Sequence, residues 1–450
     1  MKRFGYFLAA VTSLTFAPEC LGNRSSQDST VQFVREADRR SGDANAPVTL
    51  QDYLRLAALN NAGLKAAFEE WKAATEQVPQ ARSLPDPQFT YSYFVREVET
   101  RVGPQRNKLG IMQVFPWLGV IEARTDAAAA AAKAARGRYE ARKLSLFYEV
   151  KDAFYEYAYL ARAVEIAREN LELVKHFEEV ARTKYIAVTA SHPDVIRAQI
   201  ELAKVEDQLR TLEDFRKPIA ARLNAVLNRQ GFAMLPWPAR GEFHKVEISR
   251  DRIVALLRAS NPELQSLELE VAGAKSRVEL AKKKFYPNVG VGVDWIQTDD
   301  ALMPGARDSG KDPVILMFSM NLPLWRKSYR AAELQAEANM RRARQRKTQT
   351  ENTIIAHAER AVYDFDDSAR KIKLYGDILI PKAEELLNVS ETAYKGGTLD
   401  FLSLIDAQRT FLEYELNHER AVTDNLQSLA ELEMLAGTEL TTVGKEAEGL

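Results

Sequence analysis

The side chains able to do chemistry in this 450-residue chain are too dispersed to do it together. His176, His192, His244, His357 and His418 show no paired ligand spacing. A single cysteine, Cys20, excludes an internal disulfide and any zinc site built from several thiolates. Paired carboxylates at Asp366-Asp367 and Glu384-Glu385 have the composition of a general acid/base couple. Both pairs sit in helical sequence, where solvated faces are the expectation. Gly290-Val291-Gly292 does not cradle phosphate, because it lies within a strand and opens no helix. No enzyme, resident metal or cofactor is therefore expected.

The composition points to structure rather than catalysis. Lys and Arg number 62 against 63 Asp and Glu, which argues against a general binder of nucleic acid. Hydrophobic residues make up 46% and charged residues 28%, too apolar a mixture for a disordered chain. Only 21 glycines and 17 prolines interrupt the sequence, which favours long helices over short strands and turns.

The first residues read as an address. Lys2-Arg3 precedes an apolar stretch from Phe4 to Phe16, followed by Ala17-Pro18 and small or polar residues. This is the pattern of a secretory signal peptide, expected over residues 1–22, with an N-terminal linker over 23–46. Cys20 is the alternative lipidated first residue, although Ala17-Pro18-Glu19 is a poor lead-in for it. No later stretch approaches the roughly 18 apolar residues of a spanning helix.

What must position any functional side chain is a plan written twice. Asn61-Ala62-Gly63-Leu64 recurs as Asn261-Pro262-Glu263-Leu264. Phe115-Pro116-Trp117 recurs as Leu322-Pro323-Leu324-Trp325, Tyr185 as Tyr394, and Ala198-Gln199 as Ala407-Gln408. The copies are expected at 47–230 and 247–437, joined by a proline-rich bridge at 231–246 and followed by a tail at 438–450. Each copy reads as a helix, two strands, a very long helix and a further helix. The first helix is expected unbroken from Leu50 to about Ser83.

Strand period marks the next segments. Phe89, Tyr91, Tyr93 and Val95 alternate with Thr90, Ser92 and Phe94, and Leu109 to Phe115 returns after a polar loop. Val289, Val291, Val293 and Trp295 alternate likewise, and Ile315 to Leu322 returns. The strands are expected at about 87–115 and 287–322, each of the order of ten residues, enough for a tilted strand to cross an outer membrane. A half-buried soluble hairpin would show the same alternation. From Val120 to Tyr185 only Gly137 interrupts a helical background of roughly 100 Å. Val150, Tyr157, Val164 and Leu171 step by seven, as do Ala358, Phe365, Ile372, Leu379, Leu386 and Ala393, the signature of supercoiled neighbours. Pro381 is expected to kink or break the second series. The run Ala127 to Ala132 suits either close backbone approach or simple helix formation. Four strands cannot close a barrel, and an open sheet in lipid leaves unsatisfied edges. Inserted strands must therefore close with strands of other subunits.

These features resemble the TolC-like outer-membrane efflux family from about Val48 to Gly437. The quoted repeats look like its helix openings and strand-to-helix junctions. Tyr394-Lys395-Gly396-Gly397-Thr398 through Leu404-Ile405-Asp406-Ala407-Gln408 looks like its second helical tip. The resemblance implies a mainly α fold with a membrane β-barrel portion. It further implies a homotrimer whose twelve-stranded barrel continues into a periplasmic α-helical barrel. Such a protein sits in the lipid of the Gram-negative outer membrane. It docks a periplasmic adaptor (a membrane fusion protein), which couples it to an inner-membrane pump expected to be proton-driven.

The same resemblance assigns Asp194 and Asp406 to a periplasmic gate. It assigns Tyr185, Thr189, Tyr394, Gly396, Gly397 and Thr398 to adaptor-facing tips. Ser403 and Leu399 depart from the family's further acid and basic gate partner, and the first tip, Val188 to Pro193, lacks the usual glycine. Leu223 to Arg229 resembles a helix ending of the heavy-metal branch, so metal cations or small organic molecules are the implied cargo. The competing readings are a periplasmic helical-hairpin adaptor, which would need β-rich lipoyl-like modules, and an outer-membrane enzyme, which would need a convergent Ser/His/acid set.

Overall fold

The computed structural model describes residues 49–238 and 249–440. The expected signal peptide with Cys20, the 23–46 linker, the second half of the bridge and the 441–450 end of the tail lie outside the described residues. The first copy runs α1 (Leu50–Asn60), α2 (Ala62–Arg82), β1 (Gln88–Val98), β2 (Gln105–Phe115), α3 (Val120–Ile186) and α4 (His192–Val226). The second runs α5 (Arg250–Ser260), α6 (Pro262–Lys283), β3 (Val289–Thr298), β4 (Val314–Met320) and α7 (Arg326–Lys373). A π-helical segment (Leu374–Leu379), α8 (Ile380–Gly396) and α9 (Phe401–Ala436) complete it.

The helix expected from Leu50 to Ser83 is in fact two, and the break explains the repeated asparagine. Asn61 Oδ1 accepts from the N–H of Leu64 at 2.9 Å, capping α2. Its Nδ2 donates to the Val226 carbonyl at 2.9 Å, at the end of α4. Asn261 repeats both bonds, to the Leu264 N–H at 3.0 Å and the Leu435 carbonyl at 2.9 Å. A proline unforeseen in that helix, Pro79, sits within the last turn of α2. Asn261→Ala should cost about 2 kcal/mol, since a cap is lost and a carbonyl is left unpaired. Thermal unfolding of the solubilised protein checks this; an unchanged midpoint would show that the joint is not held by the asparagine.

The long helix of the first copy is continuous over 67 residues. Its alanine run and Gly137 bring helices close: a Cβ at Gly273 of α6 would lie 3.3 Å from that of Ala130 and 3.7 Å from the Ala127 carbonyl oxygen. Ser266 Oγ donates to the Ala134 carbonyl at 2.8 Å. A Cβ at Gly137 would lie 2.9 Å from that of Ser266. In the second copy the π turn adds one residue to the helical repeat. Ala358 and Phe365 are buried as the seven-residue step requires, but beyond the π turn Leu387 is buried and Leu386 is exposed. The seam has slipped by one position. Pro381 follows in the first turn of α8, where its missing N–H is best tolerated.

The strands form one antiparallel sheet in the order β1-β2-β3-β4, so the two copies meet at β2 and β3. Three clusters of buried side chains hold the helices. One joins α1, α3 and α4 around Tyr53, Tyr157 and Leu223. A second joins α5, α6, α7 and α9 around Leu257, Phe365 and Leu432. The third lies at the far helical tips, around Phe177, Tyr394 and Phe401.

Candidate functional site

The register of the sheet sorts its side chains onto two unlike faces. Tyr91, Leu109, Trp295 and Val314 form one row, Phe89, Ile111, Val293 and Leu316 the next, and Phe115, Val289 and Met320 a third. All lie on one face, since alternate residues of a strand share a side. The rows between them carry Thr90, Gly110, Asp294 and Ile315, and Ser92, Lys108 and Ile296, on the other face. There Lys108 forms an ion pair with Asp294, whose side chain is 2% exposed. A Cβ at Gly110 would collide with the Asp294 carboxylate, so glycine makes room for the pair. One face is thus mainly apolar and aromatic, with Asn107, Gln113 and Gln297 as its polar members, and the other carries hydroxyls, glycines and charge among Met112, Val114 and Met317. That is the division of a barrel wall between lipid and lumen. At that end of the sheet, Arg106 of β2 bridges Glu97 of β1 at 2.9 Å and Asp299, just past β3, at 2.6 Å.

At the opposite end the two helical hairpins close by the same device. The Thr189 N–H and hydroxyl donate to the Lys184 carbonyl at 2.8 and 3.0 Å. Thr398 does the same to Ala393 at 3.0 and 3.1 Å. The residue before each threonine has left-handed backbone: Gly397 at φ 80° and, where glycine was missing, Val188 at φ 60°. A β-branched residue there is strained by roughly 1–2 kcal/mol. Val188 is also 90% exposed. The following helices are capped by one pair used in opposite order. The Ser191 N–H and hydroxyl donate to the Asp194 carboxylate at 3.2 and 2.7 Å, whereas Ser403 donates its N–H at 3.2 Å, and its hydroxyl, to Asp400.

The expected site residues are therefore distributed unequally. Asp194 is committed to its cap, with Arg197 3.6 Å away. Asp406 lies two turns into α9 and is exposed, so the two aspartates do not occupy equivalent places; the counterpart of Asp194 is Ser403. Tyr185, Gly396 and Gly397 are exposed at the tips. Tyr394 corrects the expectation of an adaptor-facing side chain: it is 3% exposed, edge-on to Phe401 at 5.5 Å.

Contacts between the hairpins were not foreseen. The Lys184 ammonium donates to the Tyr394 carbonyl and lies 4.7 Å from the centre of its ring. Arg409 grips both carboxylate oxygens of Glu201, Nε to Oε1 at 2.9 Å. Gln408 donates to Asn170 in the interior, and Glu391 pairs with His176 at 3.4 Å and Lys395 at 2.5 Å. Apart from the Glu391–Lys395 pair within one helix, nothing in local spacing marks these partners, because each pair joins residues about 200 or more positions apart.

The Arg409 guanidinium, by hydrogen bonding, holds the Glu201 carboxyl below the usual carboxylate range; burial opposes it, and Lys204 assists. A depressed pKa contributes stability that is complete above the ordinary carboxylate value and is lost as pH falls through the depressed one. The tips should therefore loosen as pH falls below the ordinary carboxylate range. Amide exchange across 185–205 and 394–410 at pH 3.5 and pH 6 measures this. Glu201→Gln should reduce that pH dependence, with Glu391 and Asp400, also held low, supplying the rest, and an unchanged profile would contradict the role of the pair.

The profile of the family described as outer membrane efflux protein matches residues 53–229 and 253–438. The cobalt-zinc-cadmium resistance protein CzcC of Cupriavidus metallidurans is 23% identical over 404 residues, covering 88% of this chain and 91% of its own. Nodulation protein T of Rhizobium leguminosarum bv. trifolii is 21% identical over 417 residues, covering 88% and 87%. The solved outer membrane protein VceC of Vibrio cholerae shares the fold with a TM-score of 0.72 at 19% identity, over 87% of this chain and 96% of that one. The family match runs through both copies of the repeat and pauses only at the bridge between them. The chain is accordingly a member of the outer membrane efflux protein family, a protein of the Gram-negative outer membrane.

Proposed function

We propose that three copies of this chain form a passive efflux duct, closed at rest by its helical tips. The observation that carries this reading is the four-stranded sheet with one mainly apolar face, one more polar face and, among the described residues, no strand beyond β1 or β4. In hydrocarbon each unpaired edge group costs several kcal/mol, so the edges must pair with other copies. Two copies would make eight strands, a barrel whose interior side chains fill. Three copies make twelve strands and leave a lumen. The long helices continue the duct into the periplasm, and Asp406, exposed in α9, supplies three carboxylates around its axis as the gate charge.

The cargo we assign is metal cations, with small organic molecules as the second class. CzcC is named for cobalt, zinc and cadmium resistance, and a carboxylate ring favours cations. A pyoverdine export protein, OpmQ of Pseudomonas aeruginosa, also matches this chain and supports the second class. Energy comes from an inner-membrane pump through an adaptor seated on the tips. Val188 is the adaptor contact: its strain and exposure are unfavourable for the free protein. Val188→Gly should raise stability by about 0.5–1 kcal/mol while weakening adaptor binding. An unfolding midpoint that falls, or unaltered binding, would contradict this. The function itself is tested by planar-bilayer recording of the purified protein: discrete, cation-preferring conductance is expected, and a silent bilayer containing folded protein would overturn the reading.

A further inference from the structure

We infer that the junction between β4 and α7 binds an anionic phospholipid of the periplasm-facing leaflet. The inference rests on the sheet being the membrane-embedded part. The apolar face of β4, with Val314, Leu316, Phe318 and Met320 exposed, does not stop where the strand does. Pro323 ends the ladder, and two three-residue turns follow, Leu324 N–H to the Leu322 carbonyl and Arg326 N–H to the Leu324 carbonyl, both 2.9 Å. Leu322, Leu324 and Trp325 are left exposed, Trp325 by 77%.

Arg326 and Lys327 come next, in the first turn of α7. Cations there oppose the helix dipole. Among the described residues neither has a carboxylate partner, whereas Arg330, one turn on, is held by Glu333 at 2.8 Å. The neighbouring junction is also basic: Lys283 and Lys284 end α6, beside Trp117 stacked on Tyr286 at 5.2 Å. Leu324, Trp325, Arg326, Lys327 and Ser328 border an open cleft of about 570 Å³.

An apolar rim at membrane level, an interfacial tryptophan and two unneutralised cations ask for one molecule that is apolar at one end and anionic at the other. A phospholipid meets all three demands. Its phosphate lies on Arg326 and Lys327, its glycerol region on Trp325, and an acyl chain continues along Leu322 and the face of β4. A soluble anion would satisfy the cations and leave the rim exposed.

The test uses the full assembled protein, delipidated in detergent and titrated with phosphatidylglycerol or phosphatidylcholine, with bound lipid counted by native mass spectrometry. One phosphatidylglycerol per chain is expected, with phosphatidylcholine much weaker and inorganic phosphate unable to displace the lipid. Each cation near an anionic headgroup is worth roughly a fivefold factor, so Arg326→Gln/Lys327→Gln should weaken phosphatidylglycerol about 30-fold and leave phosphatidylcholine unchanged. Trp325→Ala should weaken both lipids. Equal retention of the two lipids by the native protein, or undiminished phosphatidylglycerol binding by the double variant, overturns the site. A double variant that no longer assembles would place these side chains at a subunit seam and overturn it equally. If the sheet does not lie in the membrane, the native protein binds neither lipid and needs no detergent, a different result from loss in the variant alone.

Discussion

Asp406→Ala, made in the assembled protein, should weaken block by cations about tenfold and reduce cation preference in planar-bilayer recordings. Three carboxylates roughly 8 Å from a permeating ion contribute about 1.5 kcal/mol even at the dielectric constant of water, and a divalent ion feels twice that. Asp406 is free to act so. It is exposed, and although its charge reaches Arg409, that guanidinium is already bound to Glu201. Asp194→Ala should behave differently, costing about 1 kcal/mol of stability through its capping bonds from Ser191, with little change in block. Block that is unaltered by Asp406→Ala but lost in Asp194→Ala would reverse the assignment.

The second large effect belongs to the sheet. Asp294→Ala leaves the Lys108 ammonium on the polar face without its partner. Unpairing a buried ion costs about 3–5 kcal/mol. The low end applies here, because Lys108 is about one-third exposed and can be hydrated from the lumen. The assembled particle should dissociate at a markedly lower temperature on denaturing gels. Lys108→Gln combined with Asp294→Asn should recover most of the loss, since no charge is then left unpaired. Equal loss in the single and double variants would show that the pair contributes packing and not charge compensation.

Much of this was legible because a duplicated chain carries its own comparison. Asn61 and Asn261 mark the repeat but not the break in the helix; the structure shows that break, where one side chain caps a helix and ties it to another helix end. The strand faces followed from alternation, since a period of two leaves no other arrangement. The slip at the π turn did not. A seven-residue pattern can be continued on paper through Leu379 and Leu386, yet one inserted residue rotates everything after it by about 100°. That Asp194 and Asp406, both assigned to the gate, stand in unlike places escapes the sequence for a related reason. Both follow a tip at short distance, but the caps use Ser191-Asp194 and Asp400-Ser403, with the acid and the hydroxyl exchanged. Contacts between hairpins, such as Glu201 with Arg409, depend on how two helices are set side by side, and no local period encodes that.

A duct requires closure of the sheet by further copies of the chain, and the mass of the detergent-solubilised particle measures that closure directly. Three copies of a chain of at most 50.7 kDa are expected after detergent is subtracted. A stable monomer that retains its sheet in the membrane-mimetic micelle would contradict the duct.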